Sequence, residues 1–309
     1  MISHERTKAW FDCDHHRRPP RACRGVFSWL AIAIAIVAPT FAQQTFTGRL
    51  SDSACAASHQ STAAAAHLTD RECLLACIKR LSRYVLVDSD GQVLPIANQD
   101  AMGLPLYAGR PVKITGERKG DALVVAKVEA IPSHLHIGHV MTNWRDTPGT
   151  RGFLPVAIDE ARVAVLHARL AANAASLTDI TLHAGHVLHA LDPAVEPKSA
   201  GPGAGYGVRK AALGARQHVE LAAKSDGATT IVTTHAADVA SSLARVVEWL
   251  GEAIALAQRL QSATELADAR RSAADLAALT QRISDEGLQP AQTSMNLILK
   301  AEGLLGAPR

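Results

Sequence analysis

The spacing of hydrophobic and polar residues changes near residue 132, which divides the chain into two parts. Before that point, short β-rich runs alternate with turn signals, as in residues 84–87 and 92–96 on either side of the turn at 88–91. After it, apolar residues recur three and four positions apart over most of the remaining chain. The pattern predicts a multidomain α+β protein, with a small β-rich domain at 43–131 and a helical domain at 132–309.

The β-rich part is predicted to hold five strands and one helix. Thr69 and Glu72 have the spacing of a helix-capping box, so a helix is expected to begin there and to end near residue 81. Five strands and one helix within about ninety residues favour a small barrel of the oligonucleotide/oligosaccharide-binding (OB) type. The strands are expected at 45–50, 84–87, 92–96, 111–115 and 123–131.

The second part is predicted to be an all-α antiparallel helical bundle. Its helical segments are separated by proline and glycine residues, Gly287 among them, and no fixed-period repeat runs through them. The helices are expected at 134–144, 154–173, 178–191, 207–224, 229–262, 263–284 and 290–305.

The first forty-two residues have the pattern of a signal peptide. A basic head precedes an apolar run at 26–38, and the sequence Pro39-Thr40-Phe41-Ala42 follows. The apolar run is shorter than the roughly 20 residues that span a bilayer, which argues against a retained anchor. We therefore expect cleavage after Ala42 and a periplasmic or secreted protein without a membrane span.

The net charge of +3 comes entirely from this leader, which holds six Lys and Arg against three acids. The remaining chain is formally neutral, and aromatic residues make up only 4% of the sequence. A basic surface with interleaved aromatic residues is therefore not expected, which argues against a nucleic-acid partner. No feature identifies a protein partner.

Histidines carry the strongest functional signal of the sequence. Nine of the fourteen lie between His134 and His235, and none follows His235. Several imidazoles three positions apart on neighbouring helices are typical of a transition-metal site. Asp179 and Asp238, close to two of these histidines, are expected to orient their imidazoles as hydrogen-bond acceptors. The candidate ligands are His136, His139, Met141, His183, His186, His189, His218 and His235.

The ligand types favour copper or zinc, which suggests storage, transfer or sensing of a transition metal by an exported protein. Non-covalent haem b is an alternative, whereas the absence of a C-x2-C-H sequence excludes covalent haem c. A metal-dependent hydrolase is a further alternative, but no ordered catalytic motif supports an enzyme. A metal-free periplasmic binding or interaction module is the remaining interpretation.

The β-rich part contains a second candidate site, made of Cys55, His59, Cys73 and Cys77. The C-x3-H and C-x3-C spacings would place two ligands one helical turn apart, which suits zinc or Cu(I). A disulfide from Cys55 to Cys73 or Cys77 is an equal alternative, because exported proteins favour disulfides.

The same residues carry a resemblance to a known family. The sequence Thr47-Gly48-x2-Ser51-Asp52-x2-Cys55-x3-His59, the Cys73-x3-Cys77 pair and the strand-like runs at 84–87, 96–98 and 112–116 are similar to those of small exported bacterial domains of unknown function. The resemblance covers about residues 43–131. It implies a periplasmic or secreted β-rich domain and no particular reaction, and it leaves residues 132–309 unassigned.

Overall fold

The computed structural model describes residues 43–56, 68–195 and 201–304, which all belong to one compact unit. Its architecture is mixed α+β, with a five-stranded antiparallel sheet followed by a long helical region. The predicted signal peptide at 1–42 and the candidate ligand His59 lie outside the described residues.

The sheet consists of β1 (Gln44–Asp52), β2 (Tyr84–Val87), β3 (Val93–Pro95), β4 (Pro111–Lys119) and β5 (Ala122–Ala130), in the order β3-β2-β1-β4-β5. The runs predicted on either side of the turn at 88–91 form the antiparallel pair β2–β3, and β4 and β5 form a second antiparallel pair. Beyond β3, Ile96 forms a parallel bridge to Leu123 of β5, and the Asn98 side chain bonds both backbone groups of Val125 at 2.8 Å. The two edges of the sheet therefore meet.

One helix, α1 (Asp70–Lys79), lies between β1 and β2 in the chain. The capping box predicted at its start is confirmed, since the Thr69 side chain accepts from the Glu72 backbone and the Glu72 side chain accepts from the Thr69 backbone. Leu74 on this helix is fully buried and belongs to the same hydrophobic cluster as Leu50 and Ile114 of the sheet. Helix and sheet thus share one core.

The helical region begins directly after β5, where Pro132 occupies the first turn of α2. Within the described residues, no helix is both long and apolar enough to cross a membrane. The helices are α2 (Pro132–Met141), α3 (Phe153–Ala172), α4 (Leu177–Leu191), α5 (Val208–Lys224), α6 (Thr230–Gln261), α7 (Leu266–Arg282) and α8 (Gln289–Ala301), and a short 3-10 turn (Pro148–Thr150) precedes α3.

Small residues let these helices approach one another closely. On α3, Ala157, Ala161, Ala164, Ala168 and Ala171 are all buried in the second hydrophobic cluster, which is formed by the helices. Helix α3 packs against α4, α5 and α7, and α2 packs against α5. These pairings bring the histidine-bearing faces of α2 and α5, and of α3 and α4, together.

The break predicted at Gly287 is wrong. A π-helical segment, Ile283–Leu288, joins α7 to α8 without leaving helical geometry. A side chain at Gly287 would collide with Val246 of α6, so glycine permits a close approach of this segment to α6. The glycine therefore serves packing here and does not end the helix.

Candidate metal centres

Three histidines from two helices meet in what we call the α2–α5 triad. His136 and His139 lie three positions apart on α2 and so share one face of it, and His218 lies on α5. The Nδ1 atom of His218 is 3.0 Å from Nδ1 of His136 and 3.3 Å from Nδ1 of His139. The Nδ1 atoms of His136 and His139 thus both approach that of His218, and one ring nitrogen from each of the three lies within 4.8 Å of the others.

Aromatic side chains enclose this triad. The Trp144 ring centroid lies 4.7 Å from that of His139 and 4.9 Å from that of His218. Phe153 stacks on His218 with centroids 5.5 Å apart, and only 9% of His218 is exposed. The triad is therefore shielded from solvent on the side of α5.

A second group, the α3–α4 triad, repeats the arrangement. His183 and His186 lie three positions apart on α4, and His167 lies on α3. The Nδ1 atom of His167 is 3.1 Å from Nδ1 of His183 and 3.3 Å from Nδ1 of His186. His167 was not among the ligands predicted from the sequence, where it stands alone on its helix.

Burial lowers the pKa of most of the triad imidazoles and so favours their neutral form. Burial is the main cause that lowers the pKa of His136, His139, His167 and His186, and neighbouring imidazoles add to the effect at all of these except His136. Burial, followed by the neighbouring His139 and His136, lowers the pKa of His218 to about 4. Neutral rings offer the lone pairs that metal coordination requires.

Among the residues that the structure describes, no carboxylate partners either triad. Over the described ranges, the two histidine–carboxylate contacts are His134 with Glu302 and His235 with Asp238. Each triad is thus a purely imidazole donor set, which suits zinc, copper, iron or nickel better than calcium or magnesium.

Hydrogen bonding alone cannot satisfy three converging Nδ1 atoms. The Nδ1 of a neutral imidazole carries either a hydrogen or a lone pair. The Nδ1 of His218 in one triad, and of His167 in the other, can therefore form a good hydrogen bond with only one of its two neighbouring Nδ1 atoms. Metal–nitrogen bonds of about 2.0–2.1 Å place two ligands of a tetrahedral site about 3.3–3.4 Å apart, close to the observed spacing. Three such ligands leave a fourth position for water or another donor.

Three cysteines meet in the sheet half of the molecule, and we call this group the cysteine triad. The Sγ atom of Cys55 lies 4.0 Å from that of Cys73 and 3.8 Å from that of Cys77. Burial, then the hydrogen bond with Cys77, raises the pKa of Cys55 to about 12, and burial also raises the pKa of Cys73. Among the described residues, three groups of side chains could hold a metal ion: the cysteine triad and the two histidine triads.

Two predicted histidine ligands lie outside the triads. His189 is half-buried on α4, one turn beyond His186, and packs against Gly201. His235 lies on α6, where its Nδ1 is 3.2 Å from the Asp238 carboxylate. The expected contact between Asp238 and His235 is therefore present, but away from the converging imidazoles.

The structure places Asp179 at the start of α4 and Met141 at the end of α2. The Asp179 carboxylate accepts a hydrogen bond from Ser176, and its backbone N–H donates to the Ser176 side chain. Among the described residues, no hydrogen bond or ion pair joins this carboxylate to His183, the imidazole that it was expected to orient. Met141, the last residue of α2, is half-buried against the helical core.

Comparison with known proteins found no matching family model, no matching curated protein and no matching solved structure.

Proposed function

We propose that the protein binds transition-metal ions at the α2–α5 and α3–α4 triads and that it stores, transfers or senses these ions outside the cytoplasm. The observation that carries this proposal is the close approach of imidazole Nδ1 atoms in both triads, where the central ring lies 3.0–3.3 Å from its two neighbours. Copper or zinc fits best, because both accept imidazole readily and neither needs a carboxylate.

The direct test is equilibrium dialysis of tag-free protein against Cu(II), Zn(II) and Fe(II), with the metal content counted afterwards. Copper or zinc is expected to bind with one equivalent per triad. His167→Gln and His218→Gln should each remove one equivalent, because each replaces the central imidazole of one triad. His235→Gln is the matched control and should leave the count unchanged. Less than one equivalent of every metal would overturn the proposal.

Haem b is less well supported. A haem with two histidine ligands has them on opposite faces of the porphyrin, whereas the Nδ1 atoms of each triad lie on one side, 3.0–3.3 Å apart. Addition of haem is therefore expected to give no stable Soret band, and such a band would favour haem over a simple metal ion.

A metal-dependent hydrolase is the second candidate function. Three histidine ligands with a fourth position left open are a donor set that can lower the pKa of a bound water. Hydrolysis of an ester or phosphate panel that is abolished by a chelator and by His218→Gln or His167→Gln would support it.

Export and the OB-type barrel belong to the same proposal. The leader at 1–42 and the family resemblance of 43–131 support export, and the meeting of the sheet edges at Ile96 and Leu123 supports a barrel. Cell fractionation with N-terminal sequencing tests export: the expected result is a periplasmic or secreted chain that begins at Gln43. If the histidine triads bind no metal, a binding module based on the barrel is the remaining function.

A further inference from the structure

We propose that the cysteine triad is a separate site for the soft ion Cu(I), held by three sulfurs and independent of the histidine triads. Sulfur ligands select soft ions such as Cu(I), whereas imidazole sets also accept harder divalent ions. The chain would then carry two classes of metal site with different chemistry, one in the sheet half and one among the helices.

The separation of the sulfurs agrees with ligands of one ion. Metal–sulfur bonds of about 2.3 Å place two sulfurs about 3.8 Å apart in a tetrahedral site and about 4.0 Å apart in a trigonal one. The distances from Cys55 to Cys77 and to Cys73 are 3.8 and 4.0 Å. A disulfide would instead require a bond of about 2.05 Å and a movement of one side chain toward the other.

Cys55 is held by the turn that follows β1. The Asp52 carboxylate accepts hydrogen bonds from the backbone N–H groups of Ala54, at 2.9 Å, and Cys55, at 3.1 Å. The Ala56 N–H also donates to the Asp52 carbonyl at 2.8 Å. This turn fixes the direction in which the Cys55 side chain leaves the backbone.

The other two sulfurs are presented by α1. Cys73 and Cys77 lie four positions apart, on one face of the helix. Arg49 of β1 forms an ion pair of 2.6 Å with Asp70, the first residue of α1, so the helix is anchored to the strand that leads to Cys55. Cys73 is 4% exposed, whereas Cys55 and Cys77 are half-buried, which leaves a path for an ion.

The softness of the sulfur ligands favours Cu(I), and the number of ligands distinguishes it from zinc. Structural zinc sites are almost always four-coordinate, so zinc would need a fourth ligand besides the three described sulfurs, and His59 is the candidate in the sequence. A three-sulfur set suits a soft monovalent ion, which does not demand a fourth ligand. His59, four residues after Cys55 in the sequence, is the residue whose replacement separates these two cases.

The test uses the full chain with Cys13→Ser and Cys23→Ser, so that the only thiols left are those of the triad. Cu(I) is supplied anaerobically with ascorbate, and bicinchoninate competes for it. One tight equivalent is expected, with a thiolate-to-copper absorption band in the ultraviolet and protection of all three thiols from a thiol reagent. Cys77→Ser should abolish the band and weaken Cu(I) binding at least 100-fold.

Two further variants keep the outcomes separate. His59→Ala should retain the tight Cu(I) equivalent, and its loss would overturn a three-sulfur site. His167→Gln with His218→Gln should leave the ultraviolet band unchanged, so failure of the histidine triads does not affect this result. Far-ultraviolet circular dichroism checks that Cys77→Ser is folded. The proposal would also be overturned if Cys77→Ser bound Cu(I) as tightly as its parent protein. It would likewise be overturned if the reduced, metal-free protein had one thiol that reacts with the reagent and not three.

Discussion

The Nδ1 atoms of His136 and His218 lie 3.0 Å apart although the residues are 82 positions apart in the chain and belong to different helices. His167 and His183 repeat this relationship at 3.1 Å. In both cases a pair of histidines three positions apart on one helix meets a single histidine from a neighbouring helix. The same donor geometry thus occurs twice in one helical region.

Metal binding to the α2–α5 triad should be visible through Trp144. Its ring centroid is 4.9 Å from that of His218, so Cu(II) bound there is expected to quench its fluorescence strongly. His218→Gln should abolish this quenching, whereas His167→Gln should preserve it. Trp144→Phe identifies the background, which comes from Trp249 and, in a chain that keeps residues 1–42, also from Trp10 and Trp29. Quenching that survives His218→Gln would contradict the assignment.

The metal-free protein should lose stability in acid partly because of His218. Its pKa in the folded protein is about 4 against an ordinary value of 6.5, so the unfolded chain binds a proton more readily. The contribution of neutral His218 to the free energy of unfolding is fully present above pH 6.5, and it is lost as the pH falls from 6.5 toward 4. Urea unfolding at pH 7 and pH 5 should show a smaller pH effect in His218→Gln. Identical pH effects in the two proteins would refute this.

Gly214 should be needed for the packing of the Phe153 ring beside the α2–α5 triad. A Cβ at this position would lie 2.5 Å from Phe153, whose ring stacks on His218. Gly214→Ala is therefore expected to lower the free energy of unfolding by about 1–3 kcal/mol and to weaken metal binding at the α2–α5 triad.

Gly251, in the middle of α6, is the matched control because a Cβ added there would have no other atom within 4 Å among the described residues. Gly251→Ala should raise the free energy of unfolding by roughly 0.5–1 kcal/mol. Thermal and urea unfolding measure both changes. Equal effects of the two substitutions would show that the close contact with Phe153 is unimportant.

Glu302 should stabilise the junction between α2, α6 and α8. Its carboxylate accepts hydrogen bonds from His134, at 2.8 Å, and from Thr229, at 2.5 Å, and is 8% exposed. Glu302→Ala would leave the His134 ring without this acceptor and should cost about 1–3 kcal/mol in urea unfolding. Glu220→Ala removes a more exposed pair with Arg216 and should change stability by less than about 1 kcal/mol. Similar losses for both variants would argue against a special role of Glu302.

Features fixed by local sequence were predictable. The capping box of Thr69 and Glu72, the two hairpins and the pairing of His136 with His139 depend on residues a few positions apart. His167 was left out of the predicted ligands although it stands alone on its helix just as His218 and His235 do, because only the packing of α3 on α4 reveals its partners. The hydrogen bonds between Asp179 and Ser176 at the start of α4 were not foreseen, because Ser176 was not considered as a helix cap. The Gly287 break failed because the glycine is explained by a contact with α6, far away in the chain.

If each histidine triad holds one metal ion through three Nδ1 atoms, the ions should be visible in crystals grown with the metal. Anomalous diffraction at the copper or zinc absorption edge locates them. We expect one peak between His136, His139 and His218 and another between His167, His183 and His186, each at about 2.0–2.1 Å from three Nδ1 atoms. Peaks only at other residues, such as His235 and Asp238, or no peak at either triad, would contradict it.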